Sequence, residues 1–336
     1  MVSPPLYPLT FTPVLRDYVW GGRNLGERYG RSLPPAGPVA ESWEISGHPN
    51  GLSRVEAGPW QGQTLPDVLA SWGTDLVGNR AGWAMKRSRF PLLVKLLDAA
   101  QNLSVQVHPG DKYAQLHEGG ELGKTEMWYV LHAQPGAQII LGLQPDISAE
   151  ELGHAIAADR LEACLQRLPV KPGDAVFIAA GTLHALLAGV MAVEVEQNSD
   201  TTYRMYDWGR LGADGRPRPL HIAKGLEVID FRPAAPGVCR PLPRVAGRGI
   251  IRQEISRCPY FVVEKLQIEP EATFAGRTDG QTLEIWGTVE GEAGLLWAGG
   301  PAVPLPAIRF CLVPARLGEF GVRAITAATM LRVYLP

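Results

Sequence analysis

The chain has 336 residues, 46% of them hydrophobic, and a formal net charge of −2, which is enough apolar material to fill a sizeable core in one large or two ordinary domains. With a pI near 6.4 and no Lys/Arg run, it lacks the basic field that draws nucleic acid. It has no basic start followed by an apolar helix and no run of about 18 apolar residues, so we expect a cytoplasmic protein without a membrane span. In chain order, a helix is predicted over residues 65–76 and strands over 91–97, 103–108, 126–132 and 137–143, each bounded by Gly, Pro, Asn or Asp. Ser148-Ala-Glu-Glu151 is a capping box, in which the serine hydroxyl and glutamate carboxylate satisfy free backbone donors at a helix start. Behind it Leu152, Ile156, Leu161, Cys164, Leu165 and Leu168 form a helical apolar stripe, predicting a helical insertion over about 148–170 that ends at Pro169. Strands follow at 175–178, 190–197 and 202–208, then a short helix over 220–229. The Pro-rich segment 232–249 separates a first domain, 1–235, from a smaller β domain, 245–336. This is a mostly β pattern, that of a sandwich or barrel.

Four cysteines, Cys164, Cys239, Cys258 and Cys311, stand singly and read as reduced core thiols. All seven histidines lie at or before His221, so any imidazole chemistry belongs to the first domain. Strand parity puts Ser104, Gln106 and His108 on one face and Leu103, Val105 and Val107 on the other. Glu126 opens the next strong strand, with Trp128 and Val130 on its face. His184 follows a Pro-Gly-Asp turn and a second tight turn at Gly181, which aims the imidazole inward. Two histidines, a glutamate and a glutamine make a mixed nitrogen and oxygen donor set of the kind zinc takes. Lys124 stands two residues before Glu126, within reach of such a pocket. Arg204, on a face shared with Tyr206, needs either a nearby carboxylate or a substrate to balance it, and Glu194 or Glu196 is available to pair with it. His48, His117, His132, His154 and His221 read as core or surface histidines, and Trp20, Trp43 and Trp128 as core.

Gly173, five residues, Ala179-Ala-Gly181, two residues and His184 together are similar to the second cupin motif, with Ala179 where proline is common and no asparagine three residues past the histidine. Joined to Leu103-Ser-Val-Gln-Val-His-Pro109 and Gly123-Lys-Thr-Glu-Met-Trp-Tyr129, it resembles the type I mannose-6-phosphate isomerase family in its short bacterial form. Stretches 13–22, 41–46 and 197–208 agree, so the resemblance covers about the first 230 residues. His108-Pro-Gly-Asp111 departs from the family's usual His-Pro-Asp-Asp. The resemblance implies a cupin (jelly-roll) barrel carrying the metal site and a second, degenerate cupin-like domain without ligands. It implies zinc held by Gln106, His108, Glu126 and His184, with Gln106 the weakest ligand, and a catalytic Arg204. Lys124, Ser104, Lys95 and Glu194 match positions placed around the substrate and its phosphate.

The implied reaction interconverts mannose 6-phosphate and fructose 6-phosphate by moving a proton through an enediol. Glu194, a Lys124 depressed by zinc, or a zinc-bound water each have the chemistry to carry that proton. Lys95, Lys124 and Arg204 are the cations available to the phosphate, with Ser104 as a hydroxyl donor. The expected partner is a small sugar phosphate, and the expected state a monomer or weak homo-oligomer. Two other readings are an isomerase of a different aldose and a non-catalytic cupin that binds a sugar phosphate.

Overall fold

A computed structural model describes residues 4–212, 215–232, 237–239 and 242–336. The chain forms two compact units, one of Met1–Val14, Trp43–Val94 and Arg240–Pro336, the other of Leu15–Ser42 and Lys95–Cys239. Where the sequence suggested a single boundary after residue 235, the chain changes unit at four points, and residues 1–14 and 43–94 group with the C-terminal strands. Part of the 232–249 linker lies outside the described residues.

The strands that lie wholly or in part in the histidine-bearing unit are β1 (Val14–Arg16), β2 (Glu41–Ile45) and β3 (Leu92–Ala99), each cut by a unit boundary, and β4 (Val105–Val107), β5 (Glu126–Ala133) and β6 (Gln138–Leu143). They continue with β7 (Leu165–Pro169), β8 (Ala175–Ile178), β9 (His184–Leu186), β10 (Val190–Gln197), β11 (Tyr203–Tyr206) and β12 (Val238–Cys239). One sheet runs β12-β8-β5-β10-β3-β2-β1 and a second runs β11-β4-β9-β6-β7. Leu97, Trp128, Val130, Val176, Ile178 and Ala192 of the first sheet meet Ile139, Leu141 and Leu186 of the second in one buried cluster, the interior of a cupin-type barrel. On the outer side of the second sheet, Val105, Val107, Ile140, Ala185, Tyr203 and Met205 pack with Leu152 and Ala155 of a helix, Ala149–Ala157. Along β6 and β9 neighbouring residues thus divide by parity between the two layers, Ile139, Leu141 and Leu186 to the interior and Ile140 and Ala185 to the outer side.

That helix is capped as expected, Ser148 and Glu151 bonding each other's backbone. It is shorter than its stripe suggested. Asp159 turns to φ 53°, where a right-handed helix cannot continue. Leu165–Pro169 is then an edge strand, with Leu165 opposite Leu143 and Leu168 opposite Ile139. The apolar residues were real, but their partners are across a sheet.

In the other unit a six-stranded antiparallel sheet runs Leu242–Gly247, Ile250–Arg257, Val262–Ile268, Ala328–Tyr334, Glu284–Glu290, Phe310–Val313. A four-stranded sheet runs Thr273–Thr278, Gly318–Ala324, Glu292–Trp297, Val303–Pro306. Leu266, Trp286, Leu295, Val322 and Met330 fill its core. It contains no histidine after His48.

Candidate metal centre and cavity

The histidine-bearing unit brings the four expected ligands together. Gln106 and His184 are direct cross-strand partners on β4 and β9, and Glu126 sits at the start of β5, opposite Glu196 on β10. Ligand atoms of His108, Glu126 and His184 all lie within 4.8 Å of one another, and all three residues are buried. His184 Nε2 is 3.2 Å from one Glu126 oxygen, and His108 Nε2 is 3.5 Å from the other. Both imidazoles are oriented from behind: the Thr201 carbonyl oxygen lies 2.9 Å from His108 Nδ1, and the Thr182 carbonyl oxygen 2.9 Å from His184 Nδ1. Carbonyls accept only, so each Nδ1 carries the proton and each Nε2 turns a lone pair inward, the arrangement a metal ligand needs.

Two further observations test whether these residues fit a divalent ion. Glu126 is fully buried, and although Lys124 Nζ stands 2.9 Å from one of its oxygens, neither oxygen receives a hydrogen bond of regular geometry, which leaves lone pairs for a further cation. Burial, followed by the neighbouring Lys124 charge, holds His108 well below the ordinary histidine range, in the neutral form that binds metal. Burial alone would raise Glu126, but the neighbouring Lys124 charge keeps it well below the usual carboxylate range. The residues fit. Gln106 is the weaker member, with Nε2 3.3 Å from His184 Nε2. A half-turn of its amide would present Oε1 there instead.

Around the cluster lies a charged lattice. Lys124 Nζ stands 2.9 Å from Glu126, 2.8 Å from Glu196 and 3.1 Å from His108 Nε2. Lys95 Nζ is 2.8 Å from Glu196 and 3.3 Å from Glu194, and Trp128 donates its indole N–H to Glu194 at 2.8 Å. Glu126 and Glu196 face each other across two strands, a repulsive arrangement that the shared Lys124 neutralises. Burial would lower the Lys124 ammonium, but Glu126, Glu196 and Glu194 outweigh it and hold the group above its ordinary value.

A cavity of about 280 Å³ opens beside the cluster, lined by Trp20, Lys95, Ser104, Gln106, Lys124, Glu194, Arg204 and Arg218 among others. Every candidate site residue named from the sequence either belongs to the metal cluster or lines this cavity. Two sequence expectations fail. Arg204 pairs with neither Glu194 nor Glu196; Lys95 and Lys124 take those carboxylates, and Arg204 Nη1 donates to the Pro219 carbonyl while its buried Nε has no partner. Nor does Arg204 share a face with Tyr206, because a bulge sets Tyr206 opposite Val105 and its hydroxyl donates to Glu162 on the outer layer. Sequence reasoning also passed over Arg218, which lines the cavity, and Asp207, which pairs with it, although Arg218 sits in a short Arg-Pro-Leu-His run just beyond the β11 motif.

A cupin-type barrel with a buried His/His/Glu constellation opening on a polar, cation-rich cavity defines a metal-binding cupin with the makings of an enzyme. The family model described as phosphomannose isomerase type I, catalytic domain, matches residues 9–140. Mannose-6-phosphate isomerase ManA of Bacillus subtilis is 38% identical over 322 residues, spanning 93% of this chain and 95% of its own. Mannose-6-phosphate isomerase of Streptococcus mutans is 41% identical over 261 residues, or 78% and 79% of the two chains. The crystal structure of the mannose 6-phosphate isomerase from Bacillus subtilis superposes with a TM-score of 0.85 at 35% identity, covering 97% of this chain and 99% of that one. The chain therefore belongs to the type I mannose-6-phosphate isomerase family and is an isomerase. The likeness extends well past the 230 residues reached by the motifs, into the C-terminal strands.

Proposed function

We propose that the chain interconverts mannose 6-phosphate and fructose 6-phosphate with a divalent metal, zinc by its donor set, held by His108, Glu126, His184 and Gln106. The observation that carries this reading is the convergence of two Nε2 atoms and a buried carboxylate within 4.8 Å beside a polar cavity. A bound metal supplies Lewis acidity toward a sugar oxygen in a water-poor site.

The chain's own residues supply the rest. Glu194 lines the cavity, whereas Glu196 is fully buried between the two lysines. Glu194 is therefore the carboxylate placed to move a proton between C1 and C2, with the Trp128 N–H fixing one oxygen and leaving the other beside Lys95. Glu196 acts as the counter-charge that holds Lys95 and Lys124 in place. Arg204, one strand away from Gln106, offers a fixed guanidinium to the negative charge that develops as the enediolate forms. The substrate, a charged intracellular metabolite class, is consistent with a cytoplasmic enzyme, and no helix among the described residues is long and apolar enough to cross a membrane.

Metal analysis of purified protein, run beside a coupled assay for fructose 6-phosphate formation, tests this directly. His184→Ala should lose both the metal and turnover. A metal-free His184→Ala protein with full activity would overturn the site.

A further inference from the structure

We infer that the neutral imidazole of His221 is the positioning residue for Arg204, completing the edge strand where the sheet leaves it open and so fixing the backbone from which the Arg204 side chain reaches the cavity. The inference rests on the isomerase reading above, in which Arg204 faces the developing enediolate. β11 is the edge of the second sheet, with β4 as its one neighbour there. In an antiparallel pair the N–H and C=O of a residue point to the same side, either toward the partner strand or away from it. At Arg204 both point away from β4: its carbonyl accepts from the His221 N–H at 2.7 Å, and its N–H donates to His221 Nδ1 at 3.1 Å. One backbone group and one imidazole nitrogen thus do for Arg204 what a further strand would do. Immediately beyond Arg204 the register with β4 shifts, Tyr206 standing opposite Val105, so the ladder itself holds this stretch weakly. The guanidinium is tied to the same segment, Nη1 donating to the Pro219 carbonyl at 3.0 Å.

His221 is held in place in turn. The helix that follows it, Ile222–Val228, docks on β11 where Gly225 passes Met205 so closely that a Cβ there would overlap Met205 Sδ. The Gly225 N–H donates to the His221 carbonyl at 2.8 Å, which ties the histidine to the docked helix. Lys224 of the same helix reaches across to Glu118 at 2.6 Å, and the Tyr203 hydroxyl donates to that glutamate at 2.7 Å. Helix and strand therefore share a carboxylate as well as an apolar contact. The imidazole is placed against the strand by packing on both sides.

The bond from the Arg204 N–H exists in one protonation state alone. A backbone N–H only donates, so Nδ1 must offer its lone pair and the ring proton sits on Nε2. In the imidazolium, Nδ1–H would face N–H, donor against donor. The charged groups that face the ring are Arg204 on β11, Lys224 on the following helix and Glu118 just past the helix Asp111–His117, with the Tyr203 ring 6.3 Å away. Burial, then Arg204 and Lys224, outweigh Glu118 and hold His221 below its ordinary value. The neutral form therefore prevails at neutral pH, and the bond is lost in acid, at a pH below that of an ordinary histidine. Arg204 then keeps its charge but loses the backbone anchor that places it.

The experiment compares His221→Asn and His221→Phe with the natural metal-loaded protein, following kcat and KM for mannose 6-phosphate from neutral into acid pH. Asparagine places Oδ1 where Nδ1 stands, an acceptor that takes up no proton in this range. Phenylalanine keeps a ring and removes the acceptor. His221→Phe should lower kcat roughly five- to thirtyfold at neutral pH, the usual cost of leaving a backbone donor unpaired, with metal content unchanged. His221→Asn should stay close to the natural kcat at neutral pH and carry its activity further into acid. A natural kcat in His221→Phe would overturn the inference, and so would an acid limb in His221→Asn identical to the natural one. A lower melting temperature in both variants without any separation of their pH profiles, the mark of a merely structural histidine, would overturn it too. If His221→Phe does not fold, the pH profile of His221→Asn decides alone. If the natural protein turns over no mannose 6-phosphate, the isomerase reading fails, and the amide nitrogen resonance of Arg204 decides the positioning instead. It should move with the titration of His221 in the natural protein and stay fixed over the same pH range in His221→Asn. An Arg204 resonance indifferent to His221 would overturn the inference in that event.

Discussion

At the level of single residues, the glutamates of β10 separate by what they face. Glu194 and Glu196 share a strand face, so sequence parity could not rank them, yet one opens on the cavity and the other is enclosed by ammoniums. Glu194→Gln keeps an oxygen that can accept from Trp128 Nε1 and removes the proton-carrying function together with the charge facing Lys95, which keeps Glu196 as its nearer partner. We expect kcat to fall by about two to four orders of magnitude, with metal content unchanged. Loss of solvent-proton exchange into the substrate should accompany it. Near-normal exchange in this variant would move the role to another group. The convergence of His108, Glu126 and His184, with Gln106 beside His184, was legible because residue type, strand parity and family motif all pointed to these four positions. The counter-charges were not, since an ion pair such as Lys95 with Glu196 joins strands that are distant in sequence and is created only by sheet order.

Turns and bulges decide the geometry of the elements. Gly181 sits at φ +89°, and its backbone bridges the site: its N–H donates to the His108 carbonyl and its carbonyl accepts from Asp230. A Cβ there would stand 2.9 Å from the Val228 carbonyl oxygen. Gly181→Ala should therefore cost about 1–3 kcal/mol through backbone strain alone, and the contact adds to that. Because the same turn aims His184 and touches His108, metal affinity should fall along with the melting temperature. Gly62→Ala makes the comparison clean, since Gly62 also has positive φ, +80°, but open space around it and no link to the ligands. It should lower the melting temperature without altering metal affinity. Equal metal affinity in both variants would show that the Gly181 turn does not place the ligands. This turn was readable from Gly181 itself. The bulge before Tyr206 was not, because nothing in Tyr203-Arg-Met-Tyr206 marks the extra residue, and one unpaired position moved Tyr206 to the opposite face. The 165–169 strand was misread for a related reason: Leu165 and Leu168 satisfy a helical stripe and an edge strand equally well until their partners are known.

For the whole molecule, the division of the chain differs most from the sequence expectation. Histidine distribution assigns any metal chemistry to the first part of the chain, and composition suggests that everything before residue 235 folds together. Instead, residues of the N-terminal stretch complete the C-terminal unit through backbone bonds. Leu9 and Leu312 exchange two hydrogen bonds of 2.8 Å, Asn79 and Arg80 donate to Gly280 and Gln281, and Leu283 and Ala315 donate to Val77 and Leu76. Leu9, Leu76 and Val77 are all fully buried. No Pro- or Gly-rich linker could announce this, since the cue is long-range pairing and not local composition. A chain ending at residue 239 would strip these partners away and leave Leu9, Phe11, Leu76 and Val77 exposed with unpaired backbone groups nearby. We expect such a fragment to be insoluble or to lose cooperative unfolding, even though every metal ligand is present. Expression of residues 1–239 beside the full chain, followed by circular dichroism melting and metal analysis, tests this. A soluble fragment that melts cooperatively and holds metal in full amount would show that the C-terminal strands are dispensable, as a domain ending at residue 235 requires.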